Sequence, residues 1–316
     1  MIVTLTANPS VDRTISLAGE LQRGAVLRST SMSWQAGGKG VNISRAAVAA
    51  GIPSVAVLPA HPDSPFIAEL LAAGIDCRPQ EPAGPIRMNL AITEPDGTTT
   101  KINDPGNVVD GGHLDMLADA VVRLAADASW VVLAGSLPPG APPSWYAELV
   151  VALRDTAANV AVDTSDAPLT ALAAALPAAA PDLMKPNGDE LAALTGANAH
   201  ALEGDPIEAA RAAHGLVGMG VGAVLVTLGA GGAALVTRDG TWHAAAPSTV
   251  VVSTVGAGDS SLFGYLLAAE HGAPPEERLK HAVAYGAAAA GLPGTTIPTP
   301  DDVDVSAVRP VRLDMA

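Results

Sequence analysis

The sequence is poor in cysteine, lysine and aromatic residues, and its charge is strongly negative. Its 316 residues include one cysteine, Cys77, and four lysines, and aromatic residues make up 3%. A single cysteine cannot form an internal disulfide, which argues against a disulfide-stabilised secreted protein. The net charge of −15 argues against nonspecific binding to nucleic acid or to an anionic membrane, because both depend on a basic surface.

Long uninterrupted apolar runs are also missing, although 49% of the residues are hydrophobic. Proline and glycine interrupt each apolar stretch, as Pro177 does in LTALAAALPAAAP. A bilayer-spanning helix needs about 20 consecutive apolar residues, so we expect no membrane span. The N-terminal MIVTLTANPS has no basic segment and is typical of a β-strand rather than of a signal peptide. Together with the single cysteine, this favours the cytoplasm.

The apolar segments that are present alternate in type along the chain. Short runs rich in Val, Ile and Leu alternate with Ala-rich helical segments, which is the pattern of a mostly parallel sheet with helices on both faces. We therefore predict a three-layer α/β/α fold. The predicted strands are IVTLTA, SVAVLPA, WVVLAG, VAVDT, DLMKPN and AVLVTLG, and the predicted helices include residues 41–50, 113–126, 144–155 and 189–194.

Two segments, residues 11–34 and 86–102, break this alternation. Apolar and polar residues alternate in them over short runs separated by Gly or Asp-Gly, which indicates antiparallel strands and hairpins. We predict that they form a small β-sheet over the C-terminal edge of the main sheet, where open α/β folds bind ligands. A lid is the functional interpretation, and a sheet extension or a dimer surface is the alternative. Residues 1–10, 35–85 and 103–316 would then form the main domain.

The segment STVGAGDSSLFGYLLAAE, residues 253–270, places a carboxylate at the start of an apolar helix. The small residues of Gly256-Ala257-Gly258 let an anion approach the N–H groups that a helix start leaves free, and the helix dipole adds to the attraction. Asp259 could instead simply cap the helix. Ser260 and Ser261 follow at once and could cap at lower electrostatic cost. We therefore interpret Asp259 as a carboxylate that orients and deprotonates a hydroxyl in phosphoryl transfer.

A second glycine-rich turn, WQAGGKGVNISRA, also leads into a helix and contains Lys39 and Asn42. Its glycines allow close backbone approach, Lys39 offers a point charge, and Asn42 can bind hydroxyls. The Walker A pattern is absent from the sequence, which argues against P-loop chemistry. GMGVGA at residues 218–223 matches a loose dinucleotide pattern, but it precedes a strand instead of following one. A dinucleotide oxidoreductase is therefore the weakest alternative.

Two further predicted strand ends carry polar groups. KPNGDEL, residues 185–191, resembles a capping box in which Asn187 caps a helix and Glu190 bonds back, although this leaves Lys185 unexplained. Asp163 ends a strand at a position where carboxylates often hold Mg²⁺, usually through water. Three of the four lysines, Lys39, Lys101 and Lys185, lie near Gly or Pro in apparent turns rather than on helix faces. They are either ordinary surface lysines or ligands of an anion.

In this order, these motifs resemble those of the PfkB carbohydrate kinases of the ribokinase-like superfamily, especially the branch of 1-phosphofructokinases and tagatose-6-phosphate kinases. The resemblance covers nearly the whole chain and implies a ribokinase-like fold with a β-sheet lid. GGKG in place of an all-glycine turn favours the 1-phosphofructokinase branch. Residues 58–71, LPAHPDSPFIAELL, and residues 103–107, NDPGN, depart from the family pattern. The matching segments are TLTANPSVDRT, GGKGVNISRA, RMNLAITEPDGTTTKINDPG, GSLPPG, VDTSDAPL, KPNGDEL, VTLGAGGA and STVGAGDS.

The resemblance also implies a role for each matching residue. Asp259 is implied as the catalytic base, with the amides of Gly256, Ala257 and Gly258 as the anion hole for the transferring phosphoryl group. The other implied roles form four groups: Asp12, Gly37, Gly38 and Asn42 for sugar hydroxyls; Lys39, Arg87, Lys101 and Ser136 for the phosphate already on the acceptor; Lys185, Asn187, Thr227, Gly229 and Gly232 for ATP; Asp163 and Glu190 for Mg²⁺.

The activity implied by the resemblance is transfer of the γ-phosphoryl group of ATP to a hydroxyl of a ketohexose monophosphate, with Mg²⁺ required. The expected reaction converts fructose 1-phosphate to fructose 1,6-bisphosphate. Alternative acceptors are tagatose 6-phosphate, fructose 6-phosphate, and an unphosphorylated sugar or nucleoside. A noncatalytic sugar-phosphate sensor is an alternative of another class. Relatives often form homodimers through the lid, but neither lid segment here contains a long apolar stripe.

Overall fold

The computed structural model describes residues 1–315, which form two β-sheets and the helices that cover them. The strands are β1 (Ile2–Leu5), β2 (Ser10–Leu17), β3 (Ser29–Gly37), β4 (Ser54–Pro59), β5 (Asp76–Gln80), β6 (Arg87–Thr93), β7 (Thr99–Asn103), β8 (Trp130–Ala134), β9 (Asn159–Asp163), β10 (Leu183–Met184), β11 (Ala223–Thr227), β12 (Ala233–Thr237), β13 (Thr241–Ala244) and β14 (Val311–Arg312). The α-helices are α1 (Lys39–Ala49), α2 (Pro65–Ala72), α3 (Gly111–Ala125), α4 (Trp145–Leu153), α5 (Asp166–Ala174), α6 (Gly188–Thr195), α7 (Ala199–Gly204), α8 (Pro206–Gly218), α9 (Ala257–Glu270) and α10 (Pro275–Ala290).

The larger sheet has the strand order β14-β13-β12-β11-β10-β9-β8-β1-β4-β5. The strands from β11 to β5 are all parallel, and β12, β13 and β14 are added antiparallel at one edge. All residues of β1 and β8 are buried, as expected of central strands that are covered on both faces. The prediction of a mostly parallel sheet is confirmed.

Helices cover both faces of this sheet because successive strand residues point in opposite directions. Val3 and Leu5 of β1 belong to an apolar cluster with residues of α3 to α8, whereas Ile2 belongs to a second cluster with α1, α9 and α10. The predicted α/β/α layering is therefore confirmed. The parallel strands bring their C-terminal ends to one edge of the sheet, where the loops that lead into the covering helices meet.

The smaller sheet has the order β3-β2-β6-β7 and joins two separate parts of the chain. The pairs β2–β3 and β6–β7 are antiparallel, as predicted, but β2 and β6 pair in parallel. The prediction of antiparallel strands was wrong for this central pair. β2 and β6 start side by side, with Ser10 opposite Arg87, and therefore run in the same direction.

The two faces of the smaller sheet differ in chemistry. One face carries a polar row formed by Gln35, Asp12, Asn89 and Asn103, which lie opposite one another in the four strands. The other face carries the neighbouring row of Trp34, Arg13, Leu90 and Ile102. Trp34 and Ile102 are 46% and 56% exposed. The exposed face therefore carries an apolar row that is interrupted by Arg13 and that runs across the strands, so no single segment contains it.

Two helix starts differ from the predicted positions, and each has a local cause. α1 begins at Lys39, two residues earlier than predicted, directly after Gly38, whose φ of 124° suits glycine. α3 begins at Gly111 because the Asp110 side chain accepts a hydrogen bond from the His113 N–H group and caps the helix. Within residues 1–315, no helix is both long and apolar enough to cross a membrane.

Candidate active site

A cavity of about 240 Å³, open to solvent, lies between the C-terminal edge of the larger sheet and the polar face of the smaller one. Its walls come from the segment after β1, the starts of β2 and β6, the start of α1, the ends of β8 and β9, and the start of α9. The lining residues include Thr6, Asn8, Ser10, Asp12, Gly38, Lys39, Asn42, Arg87, Asn89, Gly135, Ser136, Ser165 and Asp259. The cavity thus unites residues that sequence analysis assigned to both ends of a sugar phosphate.

The start of α9 has no side-chain cap. Its N-cap residue is Gly256, in the left-handed conformation with φ of 78°, and no side chain bonds to the first turn. Asp259 is the third helical residue and therefore does not cap the helix, which excludes that alternative. The Ala257 N–H group makes a long bond of 3.4 Å to the Thr254 carbonyl. An anion at this helix start would therefore meet N–H groups that are weakly engaged and a favourable helix dipole.

The Asp259 carboxylate is buried and faces the cavity. It is 7% exposed, and its Oδ2 accepts a hydrogen bond of 2.8 Å from Asn42 Nδ2. Burial raises the pKa of Asp259 to about 6, an effect that Lys39 and the Asn42 hydrogen bond oppose and that the nearby Asp163 charge reinforces. A carboxylate with this pKa accepts a proton more readily than an ordinary aspartate and is still largely ionised at neutral pH.

Asp163, at the end of β9, is fully buried between two lysines. Its Oδ1 accepts a 2.8 Å hydrogen bond from Lys39 Nζ, and its Oδ2 lies 3.2 Å from Lys185 Nζ. Burial alone would raise the pKa of Asp163, but the two ammonium groups hold it below its usual value. Burial alone would likewise lower the pKa of Lys39, but Asp163 and Asp259 raise it. Lys39 is therefore charged.

The ion cluster of Lys39, Asp163 and Lys185 gives Lys39 a partner that the sequence did not indicate, while Lys39 still lines the same cavity as Arg87. The resemblance groups Lys39 with Arg87 at the acceptor phosphate and places Lys185 with ATP. In the structure the two lysines share one carboxylate, and Asp259 contributes to the pKa of Lys39. Lys39 lies between Asp163 and the cavity, so its ammonium group is placed beside the carboxylate expected to act as base.

The residues expected to bind Mg²⁺ form a sparse oxygen set. Asp163 Oδ2 is buried and has no hydrogen-bond partner within residues 1–315. Glu190 Oε2 accepts from the Asn187 N–H group, and Glu190 is only half-buried. No cluster of three or more His, Cys, Asp or Glu suited to a metal occurs in the described chain. This set fits a cation such as Mg²⁺ that takes one or two carboxylates and completes its shell with water and phosphates.

Asp12 is held in place at the other side of the cavity. Its Oδ1 accepts hydrogen bonds from Ser10 Oγ at 2.8 Å and from Asn89 Nδ2 at 3.0 Å. A Cβ at Gly37 would lie 2.2 Å from Asp12 Oδ2, so this position requires glycine. The Gly37–Gly38 turn therefore permits the close approach of β3 to Asp12.

The turn before α1 is braced by α2, which comes from the unusual 58–71 segment. Glu69 Oε2 accepts from the Ala36 N–H group at 3.3 Å and from Arg45 Nη2 at 3.2 Å. Arg45 Nη2 also donates to the Ala36 carbonyl. The segment that departs from the family pattern thus fixes the point where the smaller sheet joins α1.

Arg87 and Ser136 line the same cavity and both contact Asn8. Arg87 donates to the carbonyls of Asn8 at 3.1 Å and Asp104 at 2.8 Å, and burial lowers its pKa. Ser136 Oγ lies 3.5 Å from Asn8 Nδ2. Lys101 does not join them: it is exposed in the middle of β7 rather than in a turn, and it lines none of the cavities described here.

The residues expected to bind ATP follow β10 and β11, next to the strand that carries Asp163. Asn187 and Glu190 form the predicted capping box of α6, with bonds of 2.8 and 2.9 Å. Asn187 also bridges to Thr227 at the end of β11. Gly229 and Gly232 both have positive φ, and a Cβ at Gly232 would lie 2.0 Å from the Ala244 carbonyl oxygen. Asn187, Thr227 and the two glycines therefore lie after the neighbouring strands β10 and β11, at the C-terminal edge of the larger sheet.

Several residues that line the cavity were not singled out from the sequence. Thr6 Oγ1 and Asn89 Oδ1 are buried and have no hydrogen-bond partner within residues 1–315, and Asn8, Ser10 and Ser165 also face the cavity. Unpaired buried polar atoms are unusual and require a partner such as water or a ligand. The alternation of β6 could have indicated Asn89, since it lies two residues after Arg87 on the same face.

Comparison with known proteins shows the family of the chain. The sequence matches the family described as pfkB family carbohydrate kinase over residues 5–302. The chain belongs to the pfkB family of carbohydrate kinases. The predicted family membership and kinase class are thereby confirmed, and the fold agrees with a solved member. Family membership alone does not specify the acceptor or the role of each residue.

The chain is similar to two curated relatives and to one solved structure over most of its length. The 1-phosphofructokinase of Xanthomonas campestris is 39% identical over 265 residues, covering 83% of this chain and 82% of the relative. That of Rhodobacter capsulatus is 37% identical over 304 residues, covering 95% and 93%. The structure of phosphofructokinase-2 from Escherichia coli in complex with substrates and products has a TM-score of 0.86 at 30% identity, covering 95% of this chain and 96% of that one.

The burial of Asp259 makes the activity dependent on pH. A base must be ionised, and the pKa of Asp259 is about 6, so we expect kcat/KM to fall as the pH drops through this value. Asn42→Ala removes a hydrogen bond that favours the carboxylate, which should raise the pKa and move the midpoint upward by about one pH unit. The measurement is the pH profile of kcat/KM for both proteins.

Ser136→Ala is the control for this comparison, because Ser136 lines the same cavity and has no contact with Asp259. It should lower the rate without moving the midpoint. A midpoint that Asn42→Ala leaves in place, or that both substitutions move equally, would contradict the interpretation.

Proposed function

We propose that the protein transfers the γ-phosphoryl group of ATP to the 6-hydroxyl of fructose 1-phosphate. The observation that carries the proposal is the buried Asp259 carboxylate at an uncapped helix start, in one cavity with Arg87. We interpret Asp259 as a proton acceptor beside an anion site and the Arg87 guanidinium as the group that binds the acceptor phosphate. An acceptor with a hydroxyl at one end and a phosphate at the other suits this arrangement.

The chemical step needs little covalent help from the protein. As the bond from the acceptor oxygen to the γ-phosphorus forms, the bond from that phosphorus to the β–γ bridging oxygen breaks and ADP leaves. The hydroxyl proton passes to Asp259. The N–H groups at the start of α9 and the ammonium of Lys39 stabilise the charge on the phosphoryl oxygens in flight.

The ion cluster around Asp163 prepares the donor side. Lys39 and Lys185 are held by Asp163 at 2.8 and 3.2 Å and can turn toward phosphate oxygens of ATP. Asn187, Thr227, Gly229 and Gly232 would support the nucleotide along the same edge. Mg²⁺, when bound, supplies charge neutralisation of the phosphates, and Asp163 and Glu190 are the residues that would hold it, directly or through water.

We assign the phosphate of the acceptor to Arg87, with Ser136 and Asn8 beside it. The sugar hydroxyls are assigned to Asp12, Asn42 and the unpaired oxygen atoms of Thr6 and Asn89. The names of the relatives, both 1-phosphofructokinases, and the lysine in GGKG support fructose 1-phosphate. Lys101 would reach the acceptor phosphate only if β7 moved inward.

The smaller sheet would act as a lid over the acceptor. We assign residues 11–34 and 86–102 to it, hinged at Ser10 and Gly37, where the strands meet the main domain. Closure would exclude water, which otherwise competes with the sugar for the phosphoryl group. A cytoplasmic location, where ATP is available, is part of the same proposal.

The apolar face of the smaller sheet supports a homodimer through this sheet. A sheet with one polar, ligand-facing side and one exposed apolar side needs a cover for the second. The exposed side chains on this face include Met32, Trp34, Met88 and Ile102. A second copy of the chain offers the same face and can bury it by a twofold arrangement.

The test of the base is Asp259→Asn. The variant should fold and bind ATP, but kcat should fall by about 10² to 10⁴, because a positioned base contributes a factor of this size. The assay measures ADP release with fructose 1-phosphate, fructose 6-phosphate, tagatose 6-phosphate and fructose, each with and without Mg²⁺. Near-normal turnover by the variant would remove Asp259 from the mechanism, and absence of wild-type turnover with every acceptor would favour a sensor.

Arg87→Ala tests whether the site binds a phosphate that is already on the acceptor. A charge-assisted hydrogen bond to phosphate is worth about 1.5 to 3 kcal/mol, so KM for fructose 1-phosphate should rise about 10- to 100-fold. KM for unphosphorylated fructose is the internal control and should change little. An equal rise for both acceptors, or a matching loss of thermal stability, would mean that Arg87 supports the fold instead of binding the phosphate.

Trp34→Asp tests the dimer. A charge in the apolar row should separate the two copies, so the mass in solution measured by light scattering should halve at micromolar concentration. Val151→Asp, at an exposed position of α4 with 47% exposure, is the control and should leave the mass unchanged. A monomeric wild-type protein would refute the proposed dimer, and so would a Trp34→Asp variant that remains dimeric.

A further inference from the structure

The smaller sheet makes a side-chain hydrogen bond to a distant part of the main domain that the reaction scheme does not use. Thr295 Oγ1 donates to Gln35 Oε1 at 2.8 Å, and the two residues are 260 positions apart in the chain. Both are half-buried, Gln35 in β3 and Thr295 in the loop after α10. The contact therefore joins the smaller sheet to the C-terminal region directly.

The Gln35 end of this bond is tied to the acceptor side of the site. Gln35 lies opposite Asp12 in the register of β2 and β3, on the face that looks into the cavity. The next residue, Ala36, is clamped through both backbone groups by Arg45 and Glu69. Because Ala36 is held in place, a displacement of Gln35 would act mainly on its cross-strand neighbour Asp12.

The Thr295 end is tied to the start of α9, where the transferring group is expected. The carbonyl of the preceding Gly294 accepts a 2.9 Å hydrogen bond from Ser253 Oγ. Ile297 lies 3.6 Å from the position that a Cβ on Gly256 would take. The loop that carries Thr295 thus rests against the residue that begins the helix carrying Asp259.

We infer that Gln35 and Thr295 are a positioning pair that couples closure of the smaller sheet over the acceptor to the placement of the α9 start. Neither residue lines the cavity between Asp12 and Asp259, so neither is a catalytic residue. The inference rests on the proposed phosphoryl transfer and adds a residue pair that acts through Asp12 and Gly256. When the bond is lost, the sheet closes less completely and water reaches the phosphoryl group.

The experiment compares Thr295→Val, which keeps the shape but removes the hydroxyl, with Thr295→Ser, which restores it. A neutral hydrogen bond contributes about 1 kcal/mol, so Thr295→Val should raise KM for the acceptor about five-fold. It should also raise the fraction of ADP formed without phosphorylated sugar, since ATP is then hydrolysed by water to ADP and phosphate. Affinity for ATP alone, measured by calorimetry without acceptor, should not change.

Thr296→Val is the matched control, because the neighbouring Thr296 bonds only within its own loop, to the Pro293 carbonyl at 2.7 Å. It should leave the acceptor KM and the uncoupled ADP at wild-type values. Gln35→Leu should reproduce Thr295→Val, and the double variant should be no worse than either single one, as expected for two groups that share one bond. Thr295→Ser should recover most of the coupling.

Three results would overturn the inference: wild-type coupling in Thr295→Val, an equal effect in Thr296→Val, or additive effects of Gln35→Leu and Thr295→Val. A loss of ATP affinity together with the acceptor effect would show a general structural defect and would also overturn it. Failure of the proposed function has a different signature. The wild-type protein would then turn over an acceptor other than fructose 1-phosphate, and the pair would be measured with that acceptor.

Discussion

The buried charge of Asp163 is the interaction on which the arrangement of this site depends. A carboxylate with no exposed surface at the end of β9 needs compensation, and Lys39 and Lys185 provide it from two separate segments. Buried ion pairs are weak contributors to stability, because desolvation offsets much of their attraction. Their value here is geometric: the cluster fixes the start of α1 and the end of β10 against the same strand. The charges of this cluster also influence the pKa of Asp259.

The sequence predicted those parts of the site that are built by neighbours in the chain. The capping box of Asn187 and Glu190 is present because three-residue spacing on a helix start is a local property. The small-residue turn and the helix around Asp259 are predictable for the same reason, although the Val-rich segment before them forms no strand. The Asn42–Asp259 bond joins residues 217 positions apart, and nothing in either local pattern indicates it. The Lys39–Asp163 ion pair is likewise not indicated by local pattern, since the two residues are 124 positions apart.

Sheet pairing explains the other differences. Residues 11–34 and 86–102 each show their own hairpin, but the parallel pairing of β2 with β6 depends on where both strands leave the main domain. The apolar row of Trp34, Leu90 and Ile102 exists only across strands, so no single segment contains it. Lys101 has turn-forming residues nearby in sequence, yet it lies within β7. Local composition predicted the elements, and tertiary pairing decided which face each residue occupies.

The ion cluster also contributes to the charge balance around the cavity. Through this balance, we expect phosphate binding to change the pKa of Asp259. Lys39, Lys185 and Arg87 face Asp12, Asp163 and Asp259, so cations and carboxylates nearly cancel within a protein of net charge −15. Lys39 opposes the rise in the pKa of Asp259, whereas a nearby negative charge increases it. A phosphate that draws Lys39 toward itself removes part of that opposition and adds negative charge of its own. We therefore expect Asp259 to be a stronger base when the phosphoryl donor is in place than in the empty site.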